Sequence, residues 1–541
     1  MTDPAQHVAP GERTSRDQQF EFIVLSNRLP VEPNPLGGGM RWRRSPGGLV
    51  SALQPVIAKS GGAWVGWTGA PASATTAAGA PGPARRAFGL WEDTGEVQVV
   101  TGRGAGGGGP QVGARVTDML GLGRDDRGPV SEEEVHAIPV PLSEDEVDAY
   151  YEGFCNATLW PLYHDVTAPP VYSRRWWHSY VEVNHRFASA AAAHATDGAT
   201  VWVHDYHLQL VPAMLRGLRG DLRIGFFNHI PFPPYDLFAQ LPWRREVVEG
   251  LLGADLIGFQ TADGAANFLR ACRRLTDYHT QGPVVTVRRR NGAQPGSVRV
   301  GAFPISVDAA ELSELAQRPE TVARALQIRH ELGDPDLVLL GVDRLDYTKG
   351  LLHRLRAYGE LLKEGRLSPP GTVMVQVASP SRGEVAQYRK LREELERAVG
   401  SINGDFSPVG HPALHYLHQS FPKEEMAAMY LAADVALVTP LRDGMNLVAK
   451  EYVACRYDLG GRLVLSEFTG AAEELKGAFL VNPHDIDSLK GQIMAAAESS
   501  ENQTARRMRR LRQRVFANDV HRWAAEFLGA LAGEQRGSAA G

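Results

Sequence analysis

The sequence predicts an α/β protein with two doubly wound, Rossmann-like domains facing across a cleft. Three observations carry that expectation. Short apolar runs bounded by turn residues alternate with helical patterns, as in parallel sheets wrapped by helices. The alternation occurs twice, from Glu21 to Ile305 and from Leu337 to Val481, with a boundary near Ser306 to Ala309. The length of 541 residues exceeds what one core ordinarily fills.

Composition narrows the class. The chain is 43% hydrophobic and 22% charged, ordinary for a globular protein. Its net charge of −5, from 57 basic and 62 acidic residues, suggests neither nucleic acid nor a membrane surface as a partner. Cys155, Cys272 and Cys455 are far apart and odd in number, which fits a reducing cytosol better than a disulfide framework or a metal site. No apolar run is long enough to span a bilayer, so a cytoplasmic protein is expected.

Residues 1–20 are polar and read as a disordered tail rather than a signal peptide. Residues 21–307 form the first domain. Its first strand, Glu21 to Ser26, ends at Ser26-Asn27-Arg28. A loop with Arg41, Arg43 and Arg44 follows, closed by Pro46-Gly47-Gly48 and a helix from Leu49 to about Lys59. That order outlines an anion site, with a solvated Arg cluster as the competing reading. Ala63 to Trp67 is a strand, and 71–130 is a loose Gly/Ala-rich insertion. Within it, Gly102, Gly104 and Gly107 match the dinucleotide spacing, but Gly108-Gly109-Pro110 follows instead of a helix, so low complexity is the better reading. Ser143 and Glu146 make a capping box for a helix through Tyr150, Tyr151, Phe154 and Trp160. A second helix runs from about Arg174 to Ala193. Aromatics on helices are usually core, and the nine-residue step from Tyr151 to Trp160 does not by itself favour a ligand.

Strands then lead to polar ends: Ala199–Val203 to His204-Asp205-Tyr206-His207, and Leu222–Phe227 to Asn228-His229. The histidine pair lacks a nearby third metal ligand, so a polar site at the strand's carboxyl end is the better reading. Leu256–Phe259, a helix from Ala262, and Val298–Ile305 complete this half.

The second domain, 308–502, repeats the pattern. Leu337–Val342 leads through Asp343-Arg344-Leu345-Asp346-Tyr347-Thr348-Lys349-Gly350 into a helix, and Val373–Val377 leads through Ser381-Arg382-Gly383 into another. Val435–Val438 is followed by a turn with Asp443 and a helix opening near Asn446, whose start offers unpaired amides to phosphate or sugar oxygens. Glu451 lies just over one turn inside that helix. Leu463–Leu465 and Phe479–Val481 are further strands. Residues 503–541 read as one helical stretch, Gln503 to Leu531, and a tail, crossing back toward the first domain.

Ligands of parallel sheets bind beyond the strands' carboxyl ends. Those ends carry Arg28, Gly48, Asp205, His229, Arg344, Lys349, Arg382, Asp443 and Glu451. One cationic cluster per half, acids suited to sugar hydroxyls, and no Ser-His-Asp order point to transfer between a nucleotide sugar and a second anionic substrate. The absence of a P-loop argues against an ordinary ATP-driven kinase.

At these residues the chain resembles the trehalose-6-phosphate synthases, retaining glycosyltransferases of the family 20 type with the glycosyltransferase B fold. The matches, in order, are SNRLP at Ser26, PGGL at Pro46, GAWVGWTG at Gly62, YYEGFCNATLWPLYH at Tyr150, VWVHDYHLQLVP at Val201, RIGFFNHIPFP at Arg223, DLIGFQT at Asp255, DRLDYTKG at Asp343, SRGEV at Ser381 and TPLRDGMNLVAKEYVA at Thr439. The resemblance implies glucose transfer from a nucleoside diphosphate glucose to glucose 6-phosphate with retention, giving α,α-trehalose 6-phosphate. It implies that Arg28 and Arg382 hold the acceptor phosphate. It places Tyr151, Trp160 and Asp205, by resemblance, around the acceptor pocket, and His229 beside the reacting sugars. For the donor it implies Gly47 and Gly48 at close approach, Arg344 and Lys349 on the diphosphate, Phe421 on the base and Glu451 on the ribose. Asp443 and the amides of Met445, Asn446, Leu447 and Val448 hold the glucose and phosphate. No resident cofactor or metal is implied: the nucleotide sugar is a co-substrate and a divalent cation at most stimulatory. The partners it implies are small molecules, with no nucleic acid and no membrane, and it implies assembly as a homo-oligomer, a dimer or tetramer. With few residues after Leu531, no fused phosphatase domain is expected.

Three alternatives stand beside this reading: a relative with a changed acceptor or donor, a non-catalytic sugar-phosphate sensor, and a metal-dependent hydrolase built on HDYH. The acceptor set argues against the first, and Arg344, Lys349 and Asp443 against the second.

Overall fold

A computed structural model describes residues 19–34, 41–44, 53, 61–71, 96–98, 114–115, 136–165, 168–288, 296–381 and 386–533. Gly47, Gly48, Arg382, the glycine run at 102–107 and all of the expected 49–59 helix but Leu53 lie outside these residues.

Strands are numbered along the chain. The first half holds β1 (Phe20–Arg28), β2 (Val31–Asn34), β3 (Arg41–Arg44), β4 (Ala63–Trp67), β5 (Glu96–Gln98), β6 (Ala114–Arg115), β7 (His136–Pro139), β8 (Ala195–His204), β9 (Arg223–Phe227), β10 (Leu256–Phe259), β11 (His279–Gln281), β12 (Val284–Val287) and β13 (Gly296–Ala302). Ten of them form one sheet, ordered β11-β12-β13-β10-β9-β8-β1-β4-β7-β6. The run from β13 to β7 is parallel throughout. Both edges turn antiparallel, where β11–β12–β13 and β6–β7 pair. The sequence pattern missed the β11–β12 hairpin because its strands are short and only partly covered; its turn uses Gly282 at φ +55°. β2, β3 and β5 make a separate three-stranded sheet.

The second half holds β14 (Leu337–Arg344), β15 (Thr372–Ser379), β16 (Leu414–Leu417), β17 (Val435–Val438), β18 (Arg462–Ser466) and β19 (Phe479–Val481). They form a six-stranded sheet in the order β16-β15-β14-β17-β18-β19, parallel throughout. Helices cover both faces, so the central strands are continuous apolar runs: all of β17 is buried.

The order of each sheet reverses at one place, and open α/β sheets bind ligands at such a switch. In the first sheet it lies between β8 and β1, whose carboxyl ends carry Asp205 and Arg28. In the second it lies between β14 and β17, which lead to Arg344 and Asp443.

Two further elements shape the site. Residues 144–164 form a continuous helix whose middle, Val147–Leu159, is wound as a π-helix between α-helical ends. The expected single helix from Gln503 to Leu531 is instead two, Glu501–Ala517 and Val520–Ala532. The break follows from Asp519, whose side chain accepts from Arg522 N at 2.8 Å and caps the second helix. The turn carries that helix back to the first sheet. Phe527 stacks on Trp202 at 4.7 Å and Trp523 packs on it at 5.0 Å. Gly225 and Gly258 make room: a Cβ on either would stand 2.8 Å from the Phe527 ring. No helix among the described residues is long and apolar enough to cross a membrane.

Candidate functional site

At the end of β1 the Arg28 guanidinium lies over Trp67 at 4.9 Å and Tyr151 at 5.4 Å. A Cβ at Gly69, where φ is +89°, would overlap that guanidinium, so this turn requires glycine. Tyr151 also stacks on His207 at 6.0 Å. Helical winding explains how Tyr151 and Trp160 serve one surface. At roughly 3.6 residues per turn, nine residues separate opposite faces. Under i→i+5 bonding, roughly 4.4 per turn, nine residues make about two turns and return to the same face. The Trp160 N–H bonds the Cys155 carbonyl in that pattern.

Asp205, after β8, has φ 74° and ψ 167°. This backbone region belongs almost wholly to glycine and costs about 1–3 kcal/mol, a strain that collects at functional sites. Its Oδ1 accepts from the His229 amide at 3.2 Å, and its Oδ2 lies 4.0 Å from His207 Nδ1. His229, after β9, has Nε2 3.0 Å from His204 Nδ1. Burial pushes the His229 imidazole down to about 3, and that of His204 well below its ordinary value. Two neutral rings therefore share one N–H···N bond.

On the opposite sheet, Arg344 closes β14. Its guanidinium is half exposed and stands 3.8 Å from Asp346. Asp346 is itself held, accepting from Thr348 N at 3.0 Å and the Tyr388 hydroxyl at 3.2 Å. Lys349 follows in a single 3₁₀ turn and donates from Nζ to Asp443 Oδ2 at 2.6 Å. Asn446 Nδ2 donates to the same oxygen at 3.1 Å. Burial pushes the Asp443 carboxyl up, but the Lys349 charge and hydrogen bond outweigh it and hold the group below its usual range.

The helix Leu447–Cys455 starts at Asn446, which has φ 75° and accepts from Ala449 N at 3.2 Å. The amides of Met445, Asn446, Leu447 and Val448 have no acceptor among the described residues. The loop bearing them is pinned: Met445 O accepts from Ala471 N at 3.0 Å, and Asp443 N donates to Phe468 O at 3.1 Å. Met445 is buried, whereas Leu447 and Val448 are half-buried. Glu451 Oε2 accepts from the Tyr430 hydroxyl at 2.8 Å, and burial raises its carboxyl pKa. Phe421 is half-buried and packed against the hydrophobic core, just before the helix Lys423–Ala432.

The two sides touch. The Arg344 guanidinium lies over the Trp160 ring at 5.5 Å. A Cβ at Gly444 would overlap the His229 carbonyl oxygen, so glycine allows the two loops to meet. The structure therefore brings together Trp160, Asp205, His229, Arg344, Lys349, Asp443 and the free amides, with Arg28 and Tyr151 at the first sheet's end. A gap lined by fixed cations and amide donors suits an anion that gains charge during reaction. Among the described residues no group of His, Cys, Asp and Glu is arranged to hold a metal.

Sequence reasoning missed several parts of this site. His164, Asp346 and Gly444 stand in the sequence only as letters within motifs. Asn27, which accepts from the Tyr150 hydroxyl at 2.8 Å, is overshadowed there by its neighbour Arg28. Asp346 was legible as an Asx turn before Thr348, and Gly444 as half of an Asp-Gly turn; His164 and Asn27 had no local signal.

Comparison with known proteins gives one consistent result. A family model described as Glycosyltransferase family 20 matches residues 116–533. The trehalose-6-phosphate synthase of Mycolicibacterium gilvum is 53% identical over 519 residues, covering 95% of this chain and 94% of that protein. That of Mycobacterium avium is 52% identical over 526 residues, covering 96% and 97%. Among solved structures, the α,α-trehalose-phosphate synthase (UDP-forming) from Burkholderia xenovorans in complex with glucose-6-phosphate has a TM-score of 0.77 at 32% identity, covering 94% of this chain and 99% of that one. The E. coli trehalose-6-phosphate protein bound with UDP-2-fluoro glucose has a TM-score of 0.75 at 31% identity, covering 94% and 98%.

Proposed function

The chain belongs to glycosyltransferase family 20, and from that premise we infer that it transfers glucose from a nucleoside diphosphate glucose to glucose 6-phosphate with retention. The products are α,α-trehalose 6-phosphate and the nucleoside diphosphate. The observation that carries this reading is the meeting of the two halves, with Arg344 at the end of β14 against Trp160 on the helix of the first half.

In this reading 21–307 is the acceptor half, 308–502 the donor half, and 503–541 the segment that crosses back. Arg28 and Arg382 take the acceptor phosphate, with Tyr151, Trp160 and Asp205 around the sugar. Arg344, Lys349 and the amides of Met445 to Val448 take the donor diphosphate and glucose. Gly47 and Gly48 lie against the donor, Phe421 at the base and Glu451 at the ribose.

The bond from glucose C1 to the diphosphate oxygen breaks as the anomeric centre becomes oxocarbenium-like. Negative charge grows on the departing oxygen, where Arg344, Lys349 and the free amides stabilise it without reorganising. Asp443 is committed to Lys349 and Asn446, so it orients the lysine and the donor sugar rather than attacking C1, unlike the paired acids of most glycosidases. The acceptor hydroxyl attacks from the face the diphosphate leaves, and its proton passes to the departing oxygen. His229, neutral, offers a hydrogen bond beside the sugars without adding charge. Seating of the two halves excludes water that would otherwise hydrolyse the donor. No resident cofactor enters these steps. The protein works in the cytoplasm as a homo-oligomer.

Product analysis tests the reading. Glucose 6-phosphate with a nucleoside diphosphate glucose should yield a non-reducing disaccharide phosphate; no such product overturns it. Competition among uridine, guanosine and adenosine diphosphate glucose identifies the base.

A further inference from the structure

The helix of the first half ends at His164, against the opposite sheet's loops, and the mechanism above gives this side chain no part. His164 is fully buried. Its Nδ1 lies 2.9 Å from the Trp160 carbonyl oxygen. A carbonyl only accepts, so the ring proton sits on Nδ1. Burial pushes the imidazole down to about 4, which leaves Nε2 a bare lone pair at neutral pH. That nitrogen is buried and has no hydrogen-bond partner among the described residues. A buried acceptor left unmade is costly.

The surroundings of His164 are charged. Lys349, Asp346 and Asp443, all from the second half, act electrostatically on its ring. Asp165 beside it acts on Arg442, the neighbour of Asp443. One turn earlier, Trp160 lies against Arg344 and against the His164 ring, at 5.5 and 4.1 Å. Three points along this helix end thus meet the donor loops.

We propose that His164 is a positioning residue for the donor diphosphate, its Nε2 accepting a hydrogen bond from the Lys349 ammonium when a nucleoside diphosphate is bound. The inference rests on the reading of Lys349 as a diphosphate ligand and deepens it. An ammonium has three donors. Asp443 takes one, a phosphate oxygen takes the second, and His164 takes the third, which fixes the direction of the other two. A neutral imidazole suits this role, because a carboxylate would compete with the diphosphate for Lys349 and an imidazolium would repel the lysine. The helix that carries the acceptor aromatics would in this way also steady the donor site.

The test uses the full chain. Calorimetric titration with uridine diphosphate and with guanosine diphosphate is run on wild type, His164→Phe and His164→Gln, alongside turnover. His164→Phe should weaken binding of the preferred diphosphate about tenfold and lower kcat. His164→Gln, which offers a carbonyl oxygen, should recover most of both. In 15N-labelled wild type the His164 Nε2 should be unprotonated and its resonance should move on diphosphate saturation. Wild-type binding by His164→Phe, a glutamine variant no better than phenylalanine, or a protonated Nε2 overturns the proposal. If His164→Phe fails to fold, the glutamine variant and the wild-type spectrum decide. Diphosphate binding with no disaccharide phosphate formed would sink the acceptor assignment alone; no diphosphate binding by wild type would sink the donor reading itself.

Discussion

Lys349 and Asp443 carry the largest expected penalty for a single change. Their contact is 2.6 Å and nearly out of solvent. Lys349→Ala strands a carboxylate and, on the proposed reading, removes a donor to the leaving charge, so it should cost about 10²-fold or more in kcat and about 3 kcal/mol of stability. Its pH signature has a definite sign. The folded Asp443 group titrates below its ordinary value because of Lys349. Its stabilisation is therefore complete above the unfolded pKa, about 4, and fades as pH falls through the lower folded value. Lys349→Ala should move the acid-unfolding midpoint upward, read by circular dichroism across pH. Glu451 has the opposite sign. Burial raises its folded pKa, so keeping it ionised opposes folding once pH exceeds the unfolded value of about 4.3. Glu451→Gln keeps an acceptor for Tyr430 and should raise Tm at neutral pH, an advantage that vanishes near pH 4, while weakening nucleotide-sugar binding. An unchanged Tm at neutral pH would show that the carboxylate is not penalised.

At the scale of elements, local winding and capping decide which side chains meet. The π-wound Val147–Leu159 segment turns Tyr151 and Trp160 to one side, which an α-helix with the same letters would not do. Asp519 splits the terminal helical stretch so that Val520–Ala532 seats on the first sheet while Glu501–Ala517 packs on the helix Leu447–Cys455 and β18 of the second half. Trp523 is the anchor of that seat, against Trp202 at 5.0 Å and edge-on to Phe227 at 5.1 Å. Trp523→Ala leaves a cavity beneath β8 and β9 and should cost about 3–5 kcal/mol, measured by urea denaturation. His204 and His229 border the same cluster at 6.4 and 6.2 Å from Trp523, so kcat should fall in the folded variant as well.

For the molecule as a whole, function depends on how the halves seat. Gly444 is the most sensitive point of that contact, because only a missing side chain lets its loop approach the His229 carbonyl. Gly444→Ala adds a methyl group only against the His229–Ile230 backbone, and should leave the far-UV spectrum and the melting cooperativity unchanged. It should lower kcat by about tenfold or more, since a displacement of about 1 Å at a reacting centre is enough for that. Full activity in this variant would mean that the two loops part during turnover. The backbone strain at Asp205 lies on the facing side of the same gap. Asp205 and Asn446, two of the described non-glycine residues with positive φ, thus both stand at this gap.

The sequence alone determined the fold class, both sheets' main strands and most cationic positions, because parallel sheets expose ligands at strand ends and those ends are local in the chain. Arg344, Lys349, Asp443 and the Asn446 helix start were legible as a strand, a polar turn and a helix. The antiparallel edge strands and the break at Asn518-Asp519 were not, since short partly exposed strands and a single capping residue leave weak periodic signals. What Trp160 and His164 do was decided only by tertiary structure. Helical winding chooses the face they occupy, and the cations they face, Arg344 and Lys349, come from the other half, more than a hundred residues along the chain. Charge and spacing along a chain name the groups that bind; only the folded approach of two halves says which of them share one site.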